Sequence, residues 1–151
     1  MKLSANFTVD ELCKSETASR KNIENVPSEK VISNLLSLTK MILQPVRSKL
    51  GIVIVTSGYR SPALNRSIGG AASSDHCTGC AADFEVVGMD NKELAIWIRD
   101  SLTFKQLILE FYENSNPHSG WVHCSFEEGS NKKEVLTAYK DGKATKYKQG
   151  L

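Results

Sequence analysis

The order of apolar and polar residues predicts two helices ahead of the first strand. Thr8 to Glu11 has the form of a capping box, so a short helix should begin there. From Ser28 to Val46, apolar residues recur at the spacing of an amphipathic helix. Pro45 lies inside this pattern and should kink the helix or divide it. The polar residues 14–27 between the two helices are expected to be irregular.

Beyond Gly51, short apolar segments predict a series of strands. They span residues 51–56, 81–87, 106–111, 120–126, 134–139 and 143–147, and the last two form a hairpin around Asp141-Gly142. Residues 61–75 should be a long loop with one helical turn, and Asp90 can cap a helix that runs to Leu102. Helices followed by strands, with one helix among them, predict a single α+β domain over residues 1–151.

Composition excludes several classes of protein. The chain has 151 residues, a net charge of +2 and 40% hydrophobic residues. A nucleic-acid binder that works by bulk charge would have a strong basic excess. No apolar run approaches the roughly 20 residues that span a bilayer, and the N-terminus lacks the apolar stretch of a signal peptide. We therefore expect a monomer that is cytoplasmic as synthesised, with no nucleic-acid partner and no membrane span.

Three histidines, His76, His118 and His123, are the first candidates for chemistry. Each lies beside a loop or strand edge among polar or small neighbours. Asp83 stands seven residues after His76, across a turn that contains Gly79, while His123 lies in a separate predicted strand. Two imidazoles and a carboxylate are a typical ligand set for catalytic zinc, with water in the fourth position. The spacing alone is equally compatible with surface histidines near a solvated aspartate.

The four cysteines, Cys13, Cys77, Cys80 and Cys124, are expected to remain thiols in a chain without a secretory signal. The pair Cys77-x-x-Cys80 raises the possibility of a zinc knuckle or a redox motif. A knuckle requires a second closely spaced ligand pair, which the chain lacks. A redox pair would precede a helix, whereas a strand is predicted after Cys80. We interpret the pair as small residues that pack around a turn, with metal and redox roles as alternatives.

Three blocks of sequence surround these candidate residues. They are Ser-Gly-Tyr-Arg-Ser at 57–61, Ser-Asp-His-Cys-Thr-Gly-Cys-Ala-Ala-Asp at 74–83 and Gly-Trp-Val-His at 120–123. Together and in this order they closely resemble the zinc D-Ala-D-Ala peptidases, which include bacterial carboxypeptidases, vancomycin-resistance dipeptidases and many phage endolysins. Residues 7–27 also resemble the start of the phage-type branch. The resemblance implies N-terminal helices packed on a small, mostly antiparallel sheet that carries the zinc site.

The resemblance also implies a role for each matching residue. His76, Asp83 and His123 would be the zinc ligands. Arg60 would bind and polarise the substrate carbonyl or carboxylate, unless it forms only a surface salt bridge. Ser74 would form a hydrogen bond with the substrate backbone, or else only cap a turn.

The general base has two candidates. The dipeptidase branch and some endolysins have a Glu three residues before the last zinc ligand, but this chain has Gly120 there. The carboxypeptidase branch has a His five residues before that ligand, and His118 matches this placement. Glu110, at the end of a predicted strand, is the second candidate because the phage-type branch often has a Glu there. Either side chain could instead be an exposed polar group.

The function implied by the resemblance is hydrolysis of a peptide bond in peptidoglycan. A zinc-activated water would attack D-Ala-containing stem or cross-link peptides, as in a phage-type lytic or wall-remodelling enzyme acting after release or export. The motifs do not distinguish a carboxypeptidase from an endopeptidase. One alternative is a catalytically inactive, zinc-stabilised module that binds the cell wall. Another is a redox or zinc-storage protein that uses Cys77 and Cys80.

Overall fold

The computed structural model describes all 151 residues, with six α-helices around a six-stranded sheet. The helices are α1 (Val9–Cys13), α2 (Glu16–Lys21), α3 (Glu29–Leu38), α4 (Gln44–Leu50), α5 (Pro62–Ser67) and α6 (Asn91–Ser101). The strands are β1 (Val53–Ser57), β2 (Ala81–Val86), β3 (Gln106–Glu110), β4 (Trp121–Ser125), β5 (Glu134–Asp141) and β6 (Ala144–Gln149). The predicted α+β class is confirmed. None of the helices combines the length and the apolarity needed to cross a membrane.

The N-terminal segment contains one more helix than the pattern predicts. α1 begins as expected, with Thr8 Oγ1 accepting a hydrogen bond from the Glu11 backbone. The prediction that residues 14–27 are irregular is wrong, because α2 lies within them. Ser15 caps this helix by accepting a hydrogen bond from the Ala18 N–H, and Asn22 ends it in the left-handed conformation, with φ of 53°.

The long amphipathic helix is divided near Pro45, as predicted. A π-helical turn, Thr39–Leu43, joins α3 to α4, and the Gln44 N–H donates to the Thr39 carbonyl. Pro45 has no N–H to donate to the preceding turn, so a wider turn just before it is tolerated. The apolar side of this helical segment is buried in the core through Val31, Leu35, Leu38, Ile42, Leu43 and Val46.

The sheet has the order β1-β2-β4-β3-β5-β6. All neighbouring pairs are antiparallel except β3 and β5, which are parallel. One face, here called the back face, belongs to the hydrophobic core through Ala82, Phe84, Leu107, Leu109, Val122 and Cys124. Because side chains alternate along a strand, the residues between these point to the opposite, front face. The candidate site lies on that front face.

Candidate metal centre

Three of the predicted site residues form a compact cluster. His76 lies in a short 3₁₀ turn, Asp75–Thr78, that leads into β2. Asp83 on β2 is paired directly with His123 on β4, so their side chains share the front face. One ligand atom from each of the three residues lies within 4.8 Å of the other two. The sequence motifs and the strand register therefore converge on a single point.

The distances within the cluster fit a metal site. His76 Nε2 lies 3.3 Å from Asp83 Oδ1, and His123 Nδ1 lies 2.9 Å from the same oxygen. Tetrahedral zinc, with bonds of about 2.0–2.1 Å, separates neighbouring nitrogen and oxygen ligands by about 3.3 Å. Two imidazoles and a carboxylate at this spacing could hold a metal ion.

The orientation of the His76 ring is set by a backbone carbonyl. His76 is 2% exposed, and its Nδ1 lies 2.7 Å from the Gly58 carbonyl oxygen. Because a carbonyl only accepts, Nδ1 carries a proton, and Nε2 is the ring nitrogen that faces Asp83 and could bind a metal ion. Gly58 is tightly packed in this position: an added Cβ would stand 2.1 Å from the Leu12 carbonyl oxygen. The first sequence block thus supports a ligand of the second.

The charges of Asp83 and His123 stabilise each other. Burial raises the pKa of Asp83, but the hydrogen bonds and positive charge of His123 and His76 outweigh burial and hold it well below its usual range. Burial lowers the pKa of His123, but the Asp83 carboxylate and, to a smaller extent, Glu110 and Asp75 raise it above its usual value. Without a metal, a proton on His123 is therefore the natural counter-charge to the Asp83 carboxylate.

The cluster opens into a cleft of about 510 Å³ on the front face. The lining includes all three predicted ligands and, from the other predictions, Arg60, Ser74 and Glu110. It also includes Lys105, Gln106, Ile108, Trp121 and Tyr147. His118 is not part of this lining. The structure therefore brings together all the predicted site residues except His118.

Arg60 and Ser74 both line this cleft but differ in the hydrogen bonds of their side chains. The Arg60 side chain lines the cleft, and its Nε is buried with no hydrogen-bond partner. Its backbone N–H donates to the His76 carbonyl over 3.1 Å, which ties the arginine to the ligand turn. Ser74 Oγ accepts a hydrogen bond from the His76 N–H and caps the 3₁₀ turn. The capping role considered for Ser74 is thus present, in a residue that also lines the cleft.

The two candidates for the general base lie in different places. Glu110 ends β3 on the front face, and burial together with the Asp83 carboxylate raises its pKa, against the opposing effects of His123 and Arg60. His118 is exposed in the loop between β3 and β4, where its N–H donates to Asn116 Oδ1. The geometry therefore favours Glu110, and the role of either residue stays a prediction.

Sequence reasoning did not single out Lys105 or Tyr147, although both line the cleft. Lys105 Nζ lies 2.9 Å from Asp75 Oδ1 and 3.2 Å from Glu127 Oε2, so two carboxylates hold it at the edge of the cleft. Alternation along the last predicted strand could have shown that Tyr147 and its neighbours face opposite ways. The pattern could not show which face meets the site.

The cysteines lie outside the ligand cluster. All four are free, and Cys80 and Cys124 are buried. Burial raises the pKa of Cys77 and of Cys80, which disfavours the thiolate that metal binding or redox exchange requires. The structure therefore gives no support to a redox or zinc-storage role for this pair.

Comparison with known families agrees with the geometry. The family model described as Peptidase M15 matches residues 5–125, which is most of the chain and includes every residue of the cluster. No curated protein matches the sequence. The matched region, with its His76–Asp83–His123 cluster, places the chain in the peptidase M15 family of zinc D-Ala-D-Ala carboxypeptidase-like metallopeptidases.

Proposed function

We propose that the protein hydrolyses a peptide bond in D-Ala-containing stem or cross-link peptides of peptidoglycan. The observation that carries this proposal is the cluster of His76, Asp83 and His123 opening into a cleft beside the unpartnered Arg60. These three residues would hold a zinc ion. When bound, zinc supplies a Lewis acid for the scissile carbonyl and lowers the pKa of water.

The protein's own residues would then position the substrate and move protons. The Arg60 guanidinium would bind the substrate carbonyl or a terminal carboxylate, because it lines the cleft beside the cluster and carries a permanent positive charge. Glu110, whose pKa is raised by burial and by Asp83, would take a proton from the attacking water and give it to the leaving amine. His118 is the second candidate for this proton transfer. The Ser74 hydroxyl would contact the substrate backbone at the mouth of the ligand turn.

We place this activity in a phage-type lytic or wall-remodelling enzyme, a single-domain monomer that meets peptidoglycan after release or export. The resemblance of residues 7–27 to the phage-type branch supports this setting. Whether the enzyme removes a terminal residue or cuts within a peptide depends on the length of peptide that its cleft accepts.

A second candidate function is a zinc-stabilised module that binds the wall without cutting it. The observation that favours it is Gly120, which stands where the dipeptidase branch carries a catalytic Glu. The half-buried Glu110 in the same cleft counts against it, because a purely structural zinc site would not need a further carboxylate beside its ligands.

The test is the release of peptides from purified peptidoglycan of several chemotypes by zinc-loaded protein, with products identified by mass spectrometry. We expect the wild type to release fragments whose masses identify the cleaved bond, and we expect His123→Ala to lose both bound zinc and activity. Zinc-loaded wild type that pulls down with peptidoglycan but releases nothing would contradict the peptidase and support the binding module. A His123→Ala variant that retains full activity would contradict the ligand assignment.

A further inference from the structure

The C-terminal hairpin of β5 and β6 extends the front face of the sheet beyond the metal cluster. Ala138 on β5 is paired with Glu110 on β3 and also with Tyr147 on β6. Glu110, Ala138 and Tyr147 therefore form one row across three adjacent strands, and Glu110 and Tyr147 line the same cleft. The family match ends at residue 125, so this part of the cleft wall lies outside the matched region.

The tyrosine ring is the part of this row that is open to a ligand. Ala138, at the centre, is 1% exposed, so its methyl group is already covered, whereas Tyr147 is 54% exposed. The ring of Tyr147 therefore forms part of the wall of the cleft that also contains the Glu110 carboxylate. An exposed aromatic ring in such a wall is suited to contact with an apolar or planar group.

The distance to the metal cluster sets the length of the ligand. Three strand spacings of about 4.8 Å separate β4, which carries His123, from β6, which carries Tyr147, so the separation is about 14 Å. An extended peptide advances about 3.3–3.6 Å per residue. A peptide with its scissile bond at the cluster would therefore reach Tyr147 after about four residues.

We propose that Tyr147 forms a distal substrate subsite, packing against a peptide about four residues from the bond that is cut. This inference rests on the proposed peptidase function and deepens it by naming a substrate class. The substrate would be a stem-length or cross-linked peptide, because a dipeptide bound at the cluster is too short to reach the ring. Tyr147 would act through substrate binding, since its strand lies three strand spacings from β4, which carries His123.

Tyr139 on β5 offers a matched control. It is next to Ala138 along the strand, so its side chain points to the opposite, back face. Its 41% exposure is close to that of Tyr147, and it lies outside the cleft lining. Replacing either tyrosine by Ala removes an exposed ring from the same hairpin, and only one of the two rings faces the cleft.

The experiment compares wild type, Tyr147→Ala, Tyr147→Phe and Tyr139→Ala, all zinc-loaded, on two soluble substrates. One is a cross-linked muropeptide and the other is a tripeptide containing the same scissile bond. For the long substrate we expect Tyr147→Ala to raise KM roughly tenfold with kcat nearly unchanged, and Tyr147→Phe and Tyr139→Ala to behave like wild type. For the tripeptide all four proteins should be alike. Zinc content and the unfolding midpoint are measured to show that each variant is folded.

Equal effects of Tyr147→Ala on both substrates, or equal effects of Tyr147→Ala and Tyr139→Ala, would overturn the subsite. If the wild type cuts neither substrate, the proposed peptidase fails, and the same proteins are compared for affinity to the fluorescently labelled muropeptide. Weaker binding by Tyr147→Ala alone would then retain the subsite in a binding protein. Unchanged affinity, or no binding by the wild type, would overturn the subsite as well.

Discussion

Gly120 offers the sharpest test of how the site is built, because its backbone leaves no space for a side chain. The residue has a φ of 65°, in the left-handed region, immediately before β4. An ideal Cβ at this position would stand 2.0 Å from the Glu110 carbonyl oxygen and 2.8 Å from the Phe111 carbonyl carbon. Both are backbone atoms and cannot rotate away. We therefore expect Gly120→Ala to destabilise the protein through strain and overlap together.

The magnitude follows from these two contributions. The left-handed conformation costs a non-glycine residue about 1–2 kcal/mol, and overlap with packed atoms adds about 1–3 kcal/mol. Gly129→Ala is the matched control, because Gly129 has a φ of 81° and no atom within 4 Å of its Cβ position. Gly129→Ala should therefore be destabilised only by the cost of the left-handed conformation. Urea unfolding of metal-free protein measures both losses without linkage to zinc. Equal losses for the two variants would refute the argument from close approach.

The same geometry bears on the missing catalytic Glu. A carboxylate at position 120 would have to start from the Cβ that the Glu110 carbonyl excludes. We therefore expect Gly120→Glu to lower stability at least as much as Gly120→Ala and to add no activity. Glu110 reaches the same cleft from the neighbouring strand, which is why its side chain is the better candidate for the base.

Three further outcomes follow from the site. Glu110→Gln should lower kcat on muropeptides by about 10²–10⁴-fold with zinc retained, whereas His118→Ala should leave kcat nearly unchanged. The reverse result would assign the base to His118. In metal-free protein, burial lowers the pKa of His123, but the larger effect of the Asp83 carboxylate leaves it above its usual value. The protonated His123 therefore stabilises the fold fully below the unfolded pKa of about 6.5, and this stabilisation is lost as pH rises through the folded pKa. Thermal unfolding with a chelator should show wild type losing stability relative to His123→Ala over that rise, and parallel curves would contradict the pairing. Replacing Cys77 and Cys80 together by Ser should preserve metal content and activity, and loss of both would revive the metal or redox interpretation.

The sequence predicts most of the elements because their apolar faces are buried. The long divided helix and strands β1 to β4 all place apolar side chains in or against the core, so hydrophobic periodicity marks them. Hydrophobic periodicity does not mark α2, since Ala18 is its only buried residue. Its ends are marked instead by Ser15, which caps the first turn, and by basic residues in the last turn. The prediction that residues 14–27 are irregular overlooked these capping signals.

Some residues of the candidate site can likewise be recognised from local sequence, whereas the position of others depends on how the strands pair. The ligand residues stand in three sequence blocks that resemble a known family, so the resemblance predicted the cluster before the fold was known, whereas the spacing alone was also compatible with surface histidines. The cleft position of Tyr147 depends instead on pairing across β3, β5 and β6, which no local pattern encodes. His118 matches a family position in sequence, but the loop that carries it lies by α6, where Pro117 accepts a hydrogen bond from Asn91.

The division of the sheet into a buried and an exposed part suggests how this fold separates metal binding from substrate choice. β2, β3 and β4 are fixed from behind by fully buried side chains such as Phe84, Leu107 and Val122, so the ligands on their front face stand on a closely packed base. β6 has no buried residue, so substitutions there change the cleft wall with little effect on packing. Changes at Tyr147 should therefore alter which peptides are accepted while zinc affinity stays constant. A variant in β6 that lost zinc without unfolding would show that the two parts of the sheet are coupled.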